Sequence, residues 1–174
     1  MKARKAEIED LPDIMKIIDE AKEYLKLQGV DQWQDGTPNE DIISKDIARK
    51  ESFVFTEENK ICAYAVLSVE KEDCYDKVYD GNWKGKDSEY AVIHRTAMGK
   101  SCRGRGKAQE LFDICEQEAK QKGRKTLRID THQDNRLMQH LIKKNGFTHC
   151  GWIYMKDGVA RQRKVVRLAY EKRI

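Results

Sequence analysis

The stretch that most constrains this chain spans residues 90–119. It begins Tyr90-Ala91-Val92-Ile93-His94-Arg95-Thr96-Ala97-Met98, apolar and β-branched as a strand is. It ends with Ala108, Leu111, Phe112, Cys115 and Ala119 recurring on one helical face. Between them lies Gly99-Lys100-Ser101-Cys102-Arg103-Gly104-Arg105-Gly106-Lys107, a glycine-rich cationic turn. Glycine lets the backbone come close to a ligand, and the first N–H groups of a helix have no partner inside it. A strand, a glycine turn and a helix start therefore make an anion site, and Arg103, Arg105 and Lys107 add positive charge. The arrangement suits a pyrophosphate. It is not a dinucleotide fingerprint, because the third glycine is missing, and not a P-loop, because no Gly-Lys-Ser/Thr closes it. A lone Gly-x-Gly is also what an ordinary tight turn carries.

A second strand–helix unit follows at once: Leu127-Arg128-Ile129-Asp130-Thr131, then Asn135, Met138, Leu141 and Gly146-Phe147. Over residues 90–152 the two units together resemble the GNAT superfamily of acyl-CoA-dependent N-acetyltransferases. The family motif Gln/Arg-x-x-Gly-x-Gly/Ala would fall on Ser101-Cys102-Arg103-Gly104-Arg105-Gly106, with Ser101 departing from it and the Arg-Gly-x-Gly core kept. The resemblance implies an α/β fold of the α+β type. One domain would cover residues 1–174, with a mixed, mostly antiparallel sheet flanked by helices on both sides. It also implies acetyl-CoA as acetyl donor. Backbone groups near Thr96, Ala97 and Met98 would pair with the pantetheine arm, and Asn135 would contact that arm from the side. Ser101, Arg103, Gly104, Arg105, Gly106, Lys107 and Ala108 would hold the phosphates. The loop after the first helix would line the acceptor pocket, which puts Trp33 and Gln34 there; Trp33 reads equally well as a plug over the core.

Composition narrows the partners. A chain of 174 residues accommodates one domain with a sizeable core. Charged residues make up 37%, yet the net charge is only +4, which fits a small anionic ligand and does not demand nucleic acid. The basic clusters Arg161-x-Arg163-Lys164 and Glu171-Lys172-Arg173 have no aromatic recognition motif beside them, so no nucleic-acid partner is expected. No apolar run approaches a membrane span, and no apolar signal segment follows Met1-Lys2-Ala3-Arg4-Lys5. A cytoplasmic protein without a membrane partner is therefore expected, and a homodimer is compatible with the chain. Five cysteines without a Cys-x-x-Cys argue for free thiols in a reducing compartment and against a metal site.

The remaining elements follow from pattern. Residues 2–8 read as an edge strand, and Leu11, Ile14, Met15, Ile18, Ala21, Tyr24 and Leu25 as a helix ended by Gly29. A second helix is expected over 39–50, and a hairpin over 52–69 turning at Glu57-Glu58-Asn59. Residues 70–89 are polar and irregular, either a functional loop or one long solvated hairpin; Lys71-Glu72-Asp73 and Lys84-Gly85-Lys86-Asp87 read as solvated faces. Strands over 126–131, 148–155 and 163–170 complete the list, with a helix capped by Asp134 or Asn135 and a turn at Asp157-Gly158.

Acetyl transfer from a thioester to an amine needs a neutral amine, a donor for the developing oxyanion, and two substrates held in line. Many members of the resembled family carry a Tyr four residues before the Gly-Phe glycine, where this chain has Ile142. The proton acceptor is then sought among His94 on the central strand, His132 at the end of the next, and Asp130; each also reads as a structural residue. Closeness to the expected gap between the strands favours His132. Without a bulge, His94, Thr96 and Met98 share one face. Cys102 reads as a small filler, since direct amine attack needs no acyl-enzyme. The expected function is transfer of acetyl from acetyl-CoA to a primary amine of a small molecule or protein. The alternative is a CoA-binding module without transfer.

Overall fold

The β-branched and aromatic runs become strands. In the computed structural model, which describes residues 1–85, 89–156 and 164–174 (backbone alone for Lys156 and Lys164), they are β1 (Lys2–Lys5), β2 (Ser52–Glu57), β3 (Lys60–Ser68), β4 (Tyr90–Met98), β5 (Thr126–Thr131), β6 (Thr148–Lys156) and β7 (Lys164–Arg173). They form one sheet in the order β1-β2-β3-β4-β5-β7-β6, as the mixed sheet expected from the sequence. Every neighbouring pair is antiparallel except β4 and β5. Two parallel neighbours need a crossover, and helix α3 (Ala108–Gln121) supplies it. The Asp157-Gly158 turn, the Arg161-x-Arg163 cluster, Lys86 and Asp87 lie outside the described residues. Among the described residues, no helix is long and apolar enough to cross a membrane.

Helices cover both faces. Helices α1 (Leu11–Leu27) and α2 (Glu40–Ala48) bury Ile14, Ile17, Ile18, Ile43 and Ile47 against Val54, Tyr64, Val66 and Ala97. On the opposite face, α3 and α4 (Arg136–Lys144) bury Leu111, Phe112, Cys115, Ala119 and Ile142 against Phe53, Ala65, Ala91, Ile93 and Leu127. Local chemistry sets the ends. The Asn39 side chain accepts from the Ile42 N–H at 3.1 Å to cap α2. Of the two cap candidates for α4, Asn135 takes the role, accepting from the Met138 N–H at 3.1 Å. Glu58 and Asn59 sit at φ 50° and 61°, the doubly left-handed pair of a two-residue hairpin turn between β2 and β3. All five cysteines are free thiols.

Of the two readings open for residues 70–89, the described residues 70–85 do not form a solvated hairpin. They fold over the part of the α1/α2 face that neither helix reaches, and make a third core cluster of Tyr75, Tyr90, Val92, Ile153 and Ala169. Arg128, fully buried on β5, holds the segment in place. Its guanidinium lies 4.1 Å from the ring centres of both Trp83 and Tyr90, and its Nε is 3.1 Å from Glu171 Oε1. The other oxygen of Glu171 accepts the backbone N–H groups of Lys84 and Gly85 at 2.7 and 2.9 Å. Lys84-Gly85 is thus pinned by backbone bonds, Glu72 is not on a solvated face, and Glu171 belongs to the core and not to a basic patch.

The segment docks on β6 through two exchanged backbone bonds, Tyr79 N–H to Trp152 O at 2.8 Å and Trp152 N–H to Tyr79 O at 2.9 Å. This approach requires glycine at 151, where φ is +126° and an added Cβ would collide with the Tyr79 carbonyl. Gly123 also has positive φ, but open space surrounds its Cβ position. Gly151→Ala is therefore expected to lose about 2 kcal/mol, a Tm drop of roughly 4–8 °C, by forcing the segment off the edge. Gly123→Ala should lose about 1 kcal/mol from backbone conformation alone. Equal melting curves for the two variants would remove the close approach from the account.

Candidate active-site cleft

Strands β4 and β5 pair only from Tyr90↔Thr126 to Val92↔Arg128 and then part. A bulge on β4 accompanies the parting. Tyr64↔Ala97 is followed by Val66↔His94, so β4 spends three steps where β3 spends two. The extra residue is Arg95, at φ +47°, a left-handed conformation costing a non-glycine residue on the order of 1 kcal/mol. The bulge turns two consecutive side chains to one face: His94 meets Glu72 and Arg95 meets Asp46, both on the α1/α2 side. Ala97 packs on that side as well, while Met98 packs on the α3/α4 side. The face expected to be shared by His94, Thr96 and Met98 is therefore broken by the bulge.

The parted strands open a cleft of about 990 Å³. Thr96, Ala97, Met98, Arg103, Ala108 and Asn135 line it, as do Trp33, Gln34, His94, Asp130 and His132. Ser101, Gly104, Arg105, Gly106 and Lys107 lie in the turn on either side of Arg103, outside the cleft wall. Gly104 and Gly106 hold φ of +76° and +73° with open space around both. Arg103 donates to the Met98 carbonyl at 2.9 Å and lies over the Tyr24 ring at 4.5 Å. Arg105 and Lys107 meet Glu57 at 2.8 and 3.2 Å, and Lys107 also meets Glu110 at 3.1 Å. The hydrogen bond from Lys107, with the charge of Arg105, holds the Glu57 carboxyl below its usual range. Cys102 is buried beneath the turn, its Sγ 3.6 Å from Glu57.

Each acid–base candidate has a defined partner. His94 Nε2 lies 2.6 Å from Glu72 Oε1. His132 Nδ1 accepts from the Asp134 N–H at 3.2 Å, which leaves its own proton on Nε2 when the ring is neutral. Asp130 Oδ1 accepts from the Tyr75 hydroxyl at 2.5 Å, and its Oδ2 is 3.8 Å from Arg167 Nε. Burial, reinforced by the Asp130 charge, raises the Tyr75 hydroxyl far above its usual range, so it stays a donor. Arg95 binds Asp46 through Nε and Nη2, both at 2.7 Å. Burial still pushes Asp46 above the usual carboxylate range, against the pull of Arg95. Ile142, at the position of the family's Tyr, is fully buried in the α3/α4 core.

The loop between α1 and α2 closes one end of the cleft. Trp33, at φ +65°, both lines the cleft and packs against the α1/α2 core. Gln34 folds back on α1 and its own loop, donating to Lys22 O at 3.1 Å and Gln32 O at 3.0 Å. Gln32 Oε1 accepts from Asn135 Nδ2 at 3.1 Å and lies 3.4 Å from the His132 N–H. It ties the loop to the start of α4. Asn135 is thus a cap and a tie before it is anything else.

Gln32, Asp46, Glu72, Tyr75 and Arg95 were not singled out from the sequence. Tyr75 carried a signal, an aromatic in a polar stretch; the others gain their places only through the bulge and long-range contacts. Among the described residues, no three His, Cys, Asp or Glu side chains are placed to hold a metal ion.

The model of the acetyltransferase (GNAT) family matches residues 12–147. A GNAT-family acetyltransferase from Streptococcus agalactiae is 33% identical with a TM-score of 0.84, over 99% of this chain and 95% of that one. Two further structures share the fold. PaiA N-acetyltransferase from Thermoplasma acidophilum, solved in complex with coenzyme A, is 16% identical with a TM-score of 0.71, over 99% and 98% of the two chains. A protein from Salmonella typhimurium, solved with its cofactor acetyl-CoA, is 18% identical with a TM-score of 0.64, over 99% and 93%. A comparison with curated proteins finds no match. The family match spans well over half of the chain, the same fold recurs across the aligned structures, and this chain belongs to the GNAT family of acetyltransferases.

Proposed function

We propose that the chain transfers an acetyl group from acetyl-CoA to a primary amine of a small molecule or protein, by direct attack while both substrates are bound. The observation that carries this reading is the parted edge of β4 running into a cationic turn with two left-handed glycines. Coenzyme A has a matching shape, an extended arm with anionic phosphates at one end. The neighbours solved with coenzyme A and acetyl-CoA support the same ligand. Bound acetyl-CoA supplies a thioester carbonyl as the electrophile.

The chain's own residues do the rest. Backbone groups at Thr96, Ala97 and Met98 hydrogen-bond the arm along the edge that β5 leaves, and Asn135 flanks it. Arg103, Arg105, Lys107 and the backbone of residues 101–108 receive the phosphates, which take over from Glu57 and Glu110 as partners of Arg105 and Lys107. Trp33 and Gln34 shape the acceptor side. His94 accepts the amine proton as the carbon–nitrogen bond forms and the carbon–sulfur bond breaks, and hands that proton to the departing sulfur. It is preferred to His132, whose Nδ1 lone pair is used by Asp134, and to Asp130, whose oxygens face Tyr75 and Arg167. With Ile142 in the core, no tyrosine stands at that position to protonate the sulfur.

Two outcomes test this. Gly104→Val places a β-branched residue at φ +76° on the turn, and is expected to weaken coenzyme A binding by about 2 kcal/mol or more in a calorimetric titration. Unchanged affinity in the folded variant would remove the turn from the binding site. His94→Asn keeps an amide to meet Glu72 but removes the base, and should slow release of free coenzyme A with a reactive amine by about 100-fold or more. The same replacement at His132 should cost far less. The reverse ranking would hand the role to His132, and tight acetyl-CoA binding with no release across an amine panel would mean a binding module.

A further inference from the structure

Residues 70–76 place two side chains behind the cleft wall, and both meet acid–base candidates that line it. Tyr75 donates to Asp130 at 2.5 Å, and Glu72 meets His94 at 2.6 Å. The Glu72 backbone is fixed too, its N–H donating to the Tyr90 hydroxyl at 3.2 Å. The His94 ring stands edge-on to Tyr75, 6.1 Å between centres at 80°. Other charged or titratable groups around the ring are Arg95 and Asp46 from the bulge and α2, Asp130 on β5, and Cys74, whose Sγ is 3.9 Å from Glu72 Oε2.

We propose that Glu72 is a positioning residue for acetyl transfer, holding His94 in the one neutral tautomer that can serve as base. The inference rests on the acetyltransferase reading above. An ionised carboxylate only accepts hydrogen bonds, so the nitrogen 2.6 Å away must carry the proton. Glu72 is kept ionised: burial opposes the charge, but the hydrogen bond from His94 and the charge of nearby Arg95 hold the carboxyl below its usual range. His94 therefore carries its proton on Nε2, and the lone pair belongs to Nδ1. That atom has no partner among the described residues and is not among the sealed polar atoms, and His94 is one of the residues that line the cleft. When Nδ1 takes a proton from the amine, the Glu72 charge stabilises the imidazolium that forms. This is the division of labour between a base and the carboxylate behind it in other enzymes, reached here through a loop. Tyr75, from the same loop, occupies the carboxylate that would otherwise compete for the proton.

The test separates this inference from the reading it rests on. Ring ¹⁵N NMR of the whole protein, with neither acetyl-CoA nor amine present, reports which nitrogen of each neutral histidine bears the proton. The chain has four histidines, so single His→Asn variants assign the signals. His94 is expected as the Nε2–H tautomer, and Glu72→Gln, which keeps the side-chain volume, is expected to yield a mixture of tautomers. In turnover, Glu72→Gln should lose about tenfold or more in kcat with the KM for acetyl-CoA unchanged, and Glu72→Asp should recover part of the loss. A His94 proton on Nδ1, or a tautomer indifferent to Glu72→Gln, overturns the inference. The expected tautomer without release of coenzyme A for any amine overturns the acetyltransferase reading and Glu72's catalytic part with it.

Discussion

The site depends on one feature of the backbone: β4 and β5 pair for three residues and then separate. A parallel pair inside a covered sheet would normally run its full length, because unpaired peptide groups in an interior are costly. Two things keep the strands apart here. The bulge at Arg95 redirects β4, and the bidentate bond from Arg95 to the buried Asp46 holds that bulge. Beyond the parting, β5 keeps its pairing with β7 and β4 its pairing with β3, so only their facing edges are left open. An extended ligand that hydrogen-bonds one of these edges would complete what the sheet leaves undone.

Around that opening, charges are set in pairs whose members come from different elements. Arg95 on β4 meets Asp46 on α2, His94 on β4 meets Glu72 on the following loop of β3, and Arg128 on β5 meets Glu171 on β7. Taking such pairs out of water is expensive, and well-packed apolar replacements often do as well for stability. Their value here is geometric. Each ties an element to a neighbour at one angle, and together they fix the two side chains that the bulge turns toward the cleft. The 70–85 segment belongs to this system: Arg128 and Glu171 hold its far end, Tyr79 its middle, and Glu72 with Tyr75 reach the site.

Much of the fold could be read from local pattern, because it is made locally. The helical period of Ile14 and Ile18, the Glu58-Asn59 turn and the Asn135 cap each depend on a few adjacent residues. The cationic glycine turn after an apolar strand was legible for the same reason, and with it the family. The bulge was not. Nothing in His94-Arg95-Thr96 distinguishes a strand from a bulged strand, since the distinction lies in the register against Tyr64 and Val66. Glu72 sits in a charged triplet that resembles any solvated face, and only the fold brings it to His94, 22 residues on in the chain. Nearness to the gap, which favours His132, could be judged from the sequence, whereas which ring nitrogen of each histidine is already engaged is visible only in the fold.

The central claim is that the parted edge of β4 and the turn after it receive acetyl-CoA. Amide hydrogen–deuterium exchange with and without acetyl-CoA tests it without knowledge of the acceptor. The account predicts slowed exchange at Thr96, Ala97 and Met98 and across residues 101–108, with little change in the β2–β3 hairpin turn or in β1. Protection elsewhere, with the amides of residues 96–108 unchanged at saturating acetyl-CoA, would contradict it.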